Sequence, residues 1–261
     1  MGLDIYAGTL TRYYTRNWKT VVQQRAEQAG VNCVVQDSNG QELKPVEDSA
    51  EVKEIREAMC SWRDDLATVL HPHPSAPLWD EEHDKDYFTD KPNWGAYGAL
   101  VMLQASRFMH CSFPEYIEAG MNTFDDPMVK KALAQKFPST LLSDVIIWIP
   151  FDDRLVCGPV TLPSAQETML STVEFLRDEL EELNKERWKA DEATIRSWAY
   201  KKYYVPVNSE KPRSFFGFIR RPPKTEKEVY RTEDLAQCAF SMFWQAVQFA
   251  LTRRVPILLD F

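Results

Sequence analysis

The length, composition and charge of the chain exclude several classes of protein. Its 261 residues are 44% hydrophobic and include 8 Trp, 10 Tyr and 14 Phe, which is enough apolar surface for a sizeable core and excludes a disordered chain. The formal net charge of −8 disfavours non-specific binding to nucleic acid or to an anionic membrane.

Cysteine usage and the N-terminal sequence indicate a reducing compartment. The five cysteines are scattered without a C-x-x-C pair, and an odd number does not suit a disulfide framework. No basic segment followed by an apolar one opens the chain, so we expect no secretory signal. The sequence therefore predicts a soluble, cytoplasmic protein with free thiols, no membrane contact and no cofactor.

The first part of the chain is predicted to contain two strands and two helices. Residues 2–7 and 31–36 read as strands, and a helix over 16–29 lies between them. Asn39-Gly40 suits a tight hairpin turn. A longer amphipathic helix is predicted over 48–70, because apolar residues recur there at spacings of three and four. This apolar face consists of Val52, Ile55, Met59, Trp62, Leu66 and Val69.

An irregular segment near 71–93 interrupts the predicted elements, and a second one lies near 205–228. Loops of this length are usually functional or disordered. Between them, helices are predicted over 94–110 and 127–137. The apolar run in "SDVIIWIPFDD" is typical of a buried strand, with "RLVCGPVTL" as its partner.

The last third of the chain is predicted to be mainly helical. A helix is expected to begin after Pro163, where Ser164 and Glu167 have the spacing of a capping box. Its acidic cluster of Asp178, Glu179, Glu181 and Glu182 is interpreted as a solvated face. Further helices over 191–201 and 232–253 precede a terminal strand in "VPILLDF". The predicted fold is a helix-rich α+β domain over 1–261, in which a small β-sheet packs against several amphipathic helices.

The stretch "DIYAGTLT", residues 4–11, resembles the nucleophile loop of the haloacid-dehalogenase-like phosphatases, Asp-x-Asp-Gly-Thr-Leu-Thr. The resemblance implies a nucleophilic carboxylate three residues before Gly8 and an acid–base carboxylate one residue before it. Ile5 and Ala7 occupy those positions, and neither side chain can attack phosphorus or carry a proton. Asp4 is out of register by one residue. We therefore reject a phosphatase and expect only a strand followed by a turn.

The irregular segment near 71–93 is the leading candidate for a binding site. It combines aromatic residues with many carboxylates, a chemistry that suits a basic protein partner. The leading hypothesis is thus a non-catalytic protein-binding protein, such as an inhibitor or immunity-type partner of a basic protein. The predicted binding residues are Trp79, Asp80, Glu81, Glu82, Asp84, Asp86 and Tyr87.

Two alternatives remain open. His71, His73 and His83, with Asp80, offer imidazole and carboxylate ligands for Zn²⁺ or Mn²⁺, as a metal-dependent hydrolase or nuclease would need. The segment 211–224 is the most basic stretch of the chain and contains the aromatic residues Phe215, Phe216 and Phe218. Such a segment could bind RNA or single-stranded DNA by stacking, although the flanking sequence departs from the RNA-recognition motif.

Overall fold

The protein is a helix-rich α+β fold built on one six-stranded sheet, as predicted. A computed structural model describes residues 3–36, 41–70, 76–82, 85–135, 137–199 and 228–260. Within them the helices are α1 (Leu10–Tyr14), α2 (Val21–Gln28), α3 (Ser49–Leu70), α4 (Trp94–Phe108), α5 (Pro127–Ala134), α6 (Val173–Arg187), α7 (Glu192–Trp198) and α8 (Thr232–Arg253). The strands are β1 (Asp4–Ala7), β2 (Phe88–Asp90), β3 (Tyr116–Glu118), β4 (Val145–Ile149), β5 (Val156–Thr161), β6 (Glu167–Thr172), β7 (Val229–Arg231) and β8 (Ile257–Asp260).

The six-stranded sheet has the order β2-β1-β8-β4-β6-β5, and β3 pairs with β7 separately. β4 and β6 are parallel, whereas the other neighbouring strands are antiparallel. β1 and β8 are neighbours, with Asp4 opposite Asp260 and Tyr6 opposite Leu258. Since residues directly opposite one another project from the same side of a sheet, these four side chains share one face.

Helices cover both faces of the sheet, which gives three layers. On one face, α4, α6 and α8 pack against a core that includes Ile5, Trp148 and Ile257. On the other face, α3 packs through Met59 and Leu66 onto sheet residues such as Tyr6, Ile147 and Leu258. Each strand of the centre of the sheet is therefore buried on both sides.

The region before α3 differs from its prediction. Residues 31–36 do not form a strand, and Gln36 makes only an isolated bridge to Glu42. Val31 and Val34 are 60% and 43% exposed, so these β-forming side chains have no core to pack against. The hairpin turn predicted at Asn39-Gly40 lies outside the described residues.

The helix predicted over 16–29 is shorter and follows a separate helix, α1. Arg16 has a left-handed φ of 56° just after α1, which breaks the helical path. Thr20 then caps α2 by accepting a hydrogen bond from the Gln23 backbone N–H, and the Gln23 side chain accepts one from the Thr20 N–H. This capping box sets the true start of the helix.

The helix predicted directly after Pro163 begins ten residues later, at Val173. The spacing of Ser164 and Glu167 belongs instead to the turn between β5 and β6, where the Leu162 N–H donates to the Gln166 carbonyl at 2.8 Å. β5 accordingly pairs with β6 and not with β4. Thr172 is the residue that caps α6, because its side chain accepts a hydrogen bond from the Phe175 N–H.

The acidic cluster on α6 is not uniformly solvated, because Glu179 is only 2% exposed. Its Oε2 accepts hydrogen bonds from the backbone N–H groups of Thr140 at 2.8 Å and Leu141 at 3.4 Å. Its Oε1 accepts one from Gln104 Nε2 at 2.8 Å. Burial, only partly offset by these hydrogen bonds, raises the pKa of the Glu179 carboxyl.

Candidate functional site

The segment 76–87, of which residues 76–82 and 85–87 are described, lies against α1 and α3. We call it the strap. Trp79 is 2% exposed and packs its ring beside Trp62 of α3, with ring centroids 6.2 Å apart. Arg63 of α3 donates from Nη1 to the Trp79 carbonyl at 2.7 Å. Trp79 therefore anchors the strap and does not present its ring to solvent.

Glu81 joins the strap to α1 and is fully buried. Its Oε1 accepts a hydrogen bond from the Leu10 N–H at 3.2 Å and another from Trp79 Nε1. Its Oε2 accepts from the Thr11 N–H at 2.7 Å. A carboxylate at this end of α1 satisfies backbone donors that have no partner within the helix. Glu81 is thus a structural residue.

From Trp79 to Glu82 the strap alternates between inward and outward side chains, as extended chain does. Trp79 and Glu81 are buried. Asp80, which lies between them, is half-buried, and Glu82 is exposed. Asp80 pairs with Lys85 at 2.9 Å. Burial raises the pKa of the Asp80 carboxyl, but the hydrogen bond and charge of Lys85 outweigh it, so the net pKa is lowered.

The end of the strap combines an exposed acid with a packed tyrosine. Asp86 forms an exposed ion pair with Arg253 at 2.8 Å. The Tyr87 ring stacks on Tyr6 with centroids 6.0 Å apart, and the Arg12 guanidinium lies 5.1 Å from its centroid. Tyr87 is therefore held within an aromatic cluster. Asp84, the remaining predicted binding residue, lies outside the described residues.

The sequence analysis missed a second row of carboxylates, which lies on α3. Its members are spaced so that they share the side of the helix opposite Met59 and Leu66, and all are exposed. They are Glu54, Glu57, Asp64 and Asp65. The same helical projection that identified the apolar face could have found them. With Asp80 of the strap, which lies close enough to Arg56 of α3 for that charge to help lower its pKa, they form what we call the acidic face.

The ion pairs on the acidic face differ in exposure, because Asp64 pairs at 2.8 Å with Arg63, whose side chain is only 10% exposed, whereas the pair of Lys53 with Glu57 is exposed. Lys53 lies 3.7 Å from Glu57, with side chains 76% and 68% exposed. Exposed pairs of this kind stabilise a protein by at most about 1 kcal/mol. A cation from another molecule can therefore replace such a partner at little cost.

The stretch that resembles a phosphatase loop is structural. The Tyr6 hydroxyl donates to the Thr9 carbonyl at 2.9 Å, and Thr9 caps α1. A Cβ at Gly8 would lie 2.4 Å from the Tyr6 hydroxyl oxygen, which explains the glycine. Asp4 is buried on the same face as Tyr6 and pairs with Lys91 at 2.5 Å.

The residues of the two alternative sites lie mostly outside the described chain. This holds for His71, His73 and His83 and for the segment 211–224. Asp80, the fourth proposed ligand, pairs with Lys85. Over the ranges that the structure describes, no group of three or more His, Cys, Asp or Glu side chains is arranged to hold a metal ion.

In that same described part of the chain, no helix is both long and apolar enough to cross a membrane. Comparison with known proteins finds no match among protein-family models, curated proteins or solved structures.

Proposed function

We propose that this is a non-catalytic binding protein that engages a basic protein partner through the acidic face. The observation that carries the proposal is the row of exposed carboxylates on α3, a helix whose opposite side is fixed in the core by Met59 and Leu66. Asp80 of the strap adds to this row, because Trp79 beside it packs on Trp62 and accepts a hydrogen bond from Arg63 of α3. Charges on such a rigid surface lose little freedom when a partner binds.

The chemistry of the face favours a partner rich in Lys and Arg. Clustered charge of one sign steers a partner of opposite sign and speeds its association. Val69, which is 81% exposed, lies on the same side of α3 as Asp65 and adds an apolar contact. An inhibitor or immunity-type partner of a basic protein would use a surface of this kind.

The experiment is an in-cell cross-linking and affinity purification of the full chain, repeated at about 50 mM and about 500 mM salt. One variant reverses three charges of the acidic face (Glu54→Lys, Glu57→Lys, Asp65→Lys). The matched control reverses three exposed acids elsewhere (Glu115→Lys, Glu181→Lys, Glu192→Lys).

We expect a stoichiometric basic partner that is retained at low salt and lost at high salt, because screening weakens contacts between exposed charges. The acidic-face variant should lose this partner and the control should keep it. The proposal fails if no protein is retained, or if the same partner is retained equally by both variants.

A further inference from the structure

A small polar pocket of about 190 Å³ lies beside the end of β8. Its apolar wall comes from the sheet and from Leu162. Its polar lining is the part relevant to binding and consists of Tyr13, Tyr14, Ser164, Gln166 and Asp260. The pocket is separate from the acidic face, because it shares no lining residue with it.

One residue that lines this pocket, Asp260, is a carboxylate, and a second carboxylate, Asp4, lies opposite it in the sheet. Asp4 and Asp260 are directly opposite in the antiparallel pair β1–β8 and project from the same face. Lys91 binds Asp4 Oδ2 at 2.5 Å. Asp4 Oδ1 is buried and, among the atoms that the structure describes, has no hydrogen-bond partner. Lys91 neutralises Asp4, which does not line the pocket, so the negative charge at the pocket is that of Asp260, and this charge favours a cation as the ligand.

The two tyrosines add aromatic surface to these carboxylates. The rings of Tyr13 and Tyr14 meet edge to face, with centroids 5.2 Å apart and planes at 87°. The Tyr13 hydroxyl hydrogen-bonds Asp260, and burial followed by the charge of Asp260 raises the pKa of this phenol well above its usual value. Burial also raises the pKa of the Tyr14 hydroxyl, which hydrogen-bonds Ser164. Both phenols are therefore neutral at physiological pH, and the faces of their rings attract cations.

We propose that this pocket binds an organic cation, an alkylammonium or guanidinium group, between the tyrosine rings and the Asp260 carboxylate. Asp260 supplies the charge, Ser164 and Gln166 supply polar contacts, and the apolar wall accepts the alkyl chain. The cation comes either from a free amine or from a Lys or Arg side chain of a basic protein, and the chemistry of recognition is the same.

The test uses the full chain and n-butylammonium chloride, with binding followed by NMR shifts of the tyrosine ring signals at constant ionic strength. n-Butanol, which has the same alkyl chain and no charge, is the matched neutral probe. We expect saturable shifts with n-butylammonium and none with n-butanol. The proposal is overturned if n-butylammonium gives no saturable shift, or if both probes bind equally.

Two variants connect binding to the pocket. Asp260→Asn removes the charge but keeps an oxygen for Tyr13, and we expect affinity for n-butylammonium to fall at least about tenfold. Gln166→Trp fills the pocket from an exposed position and should abolish binding even if Asp260→Asn does not fold. Glu192→Gln, which changes an exposed acid of α7 outside both the pocket and the acidic face, should bind normally. Unchanged affinity in Gln166→Trp, or in a folded Asp260→Asn, overturns the proposal.

A second titration with Nα-acetyl-lysinamide distinguishes the two sources of the cation. If it binds as well as n-butylammonium, the pocket accepts a protein side chain; if it binds much more weakly, the pocket is specific for a free amine. Both results support the cation site. Asp260→Asn leaves every carboxylate of the acidic face in place, so failure of this proposal is distinguishable from failure of partner binding at α3.

Discussion

At the scale of single residues, neighbouring acids in this chain have different roles. Glu81 and Glu82 are adjacent, yet the first is buried against α1 and the second is exposed. Glu179 and Glu181 differ in the same way on α6. The difference follows from whether backbone N–H donors from another element reach the carboxylate, because an ion buried without such partners is very costly.

Glu81 provides the sharpest test of this distinction. Glu81→Gln keeps the side-chain shape but replaces one accepting oxygen with an NH₂ group, which leaves a backbone donor of α1 unpaired. We expect a loss of about 2–3 kcal/mol in the free energy of unfolding, measured by urea denaturation. Glu82→Gln, the control, should change it by less than about 0.5 kcal/mol. Equal effects of the two substitutions would contradict the structural role of Glu81.

Glu179 should make stability depend on pH in a defined direction. Its folded-state pKa is raised above the usual 4.5, so the folded protein holds this proton more tightly than the unfolded chain. The stabilisation from protonation is therefore complete below the unfolded-chain pKa of about 4.5 and is lost as pH rises from there through the folded-state pKa. The contribution of Glu179 to the free energy of unfolding, measured by denaturation across this pH range, should therefore decrease as pH rises.

The variant Glu179→Gln isolates that contribution. Its amide cannot ionise, and its NH₂ group can donate to Gln104 Oε1 once the Gln104 amide turns over, since Gln104 now presents its Nε2 to Glu179. We expect the difference in unfolding free energy between variant and wild type to shift in favour of the variant as pH rises above about 4.5. A difference that stays constant with pH would show that Glu179 keeps its ordinary pKa.

At the scale of elements, close packing determines where glycine is required. α4 crosses a short 3-10 turn, Thr123–Asp125, at Gly98. A Cβ at Gly98 would lie 1.5 Å from Thr123 Oγ1 and 2.7 Å from Thr123 Cβ, so no rotation of the threonine removes both contacts. At Gly95, a Cβ would meet only Asn93 Oδ1, at 3.4 Å. Close packing therefore requires a glycine at position 98 but not at position 95.

Alanine substitutions at these two positions should give opposite results. Gly98→Ala gains about 1 kcal/mol in helix propensity but must separate α4 from the turn, and overpacking costs about 1–3 kcal/mol or more. We expect net destabilisation, seen as a lower melting temperature. Gly95→Ala should be neutral or slightly stabilising. A stabilised Gly98→Ala variant would contradict the close contact between α4 and Thr123.

At the scale of the whole molecule, both cores share one sheet. Tyr6 and Leu258 belong to the core under α3, while Ile5 and Ile257, on the same strands, belong to the core under α4 and α8. Loss of either helical layer would expose a face of those strands. The layers should therefore unfold together, consistent with the expectation of one domain.

Thermal unfolding followed by circular dichroism checks this coupling. We expect the far-ultraviolet signal, which reports helices, and the near-ultraviolet signal, which reports aromatic packing, to change in one coincident transition. Gly98→Ala, which affects only the α4 layer directly, should shift both signals equally. Two separated transitions would show that the α3 layer and the α4–α8 layer are independent units.

The elements that were predicted well are those with a long, regular pattern. α3, α4 and α8 and strand β4 agree with the sequence to within a few residues, since their apolar residues recur with the period of the backbone. The errors fall where a local pattern has two meanings. The capping-box spacing at Ser164 belongs to a hairpin turn, and the β-forming residues 31–36 have no neighbouring strand to extend them.

Residue types and their spacing along the chain are enough to establish the helix-rich α+β class, the acidic character of the chain and the lack of the phosphatase carboxylates at Ile5 and Ala7. These properties depend on residue type and on local periodicity, which can be read along the chain. Only the tertiary structure decided which acids face solvent and which are buried, because Glu81 meets its donors in α1, 70 and 71 positions away. It also decided that Asp4 lies beside Asp260, from strands near opposite ends of the described chain. Contacts of that kind leave no local pattern, since they arise only when the sheet assembles.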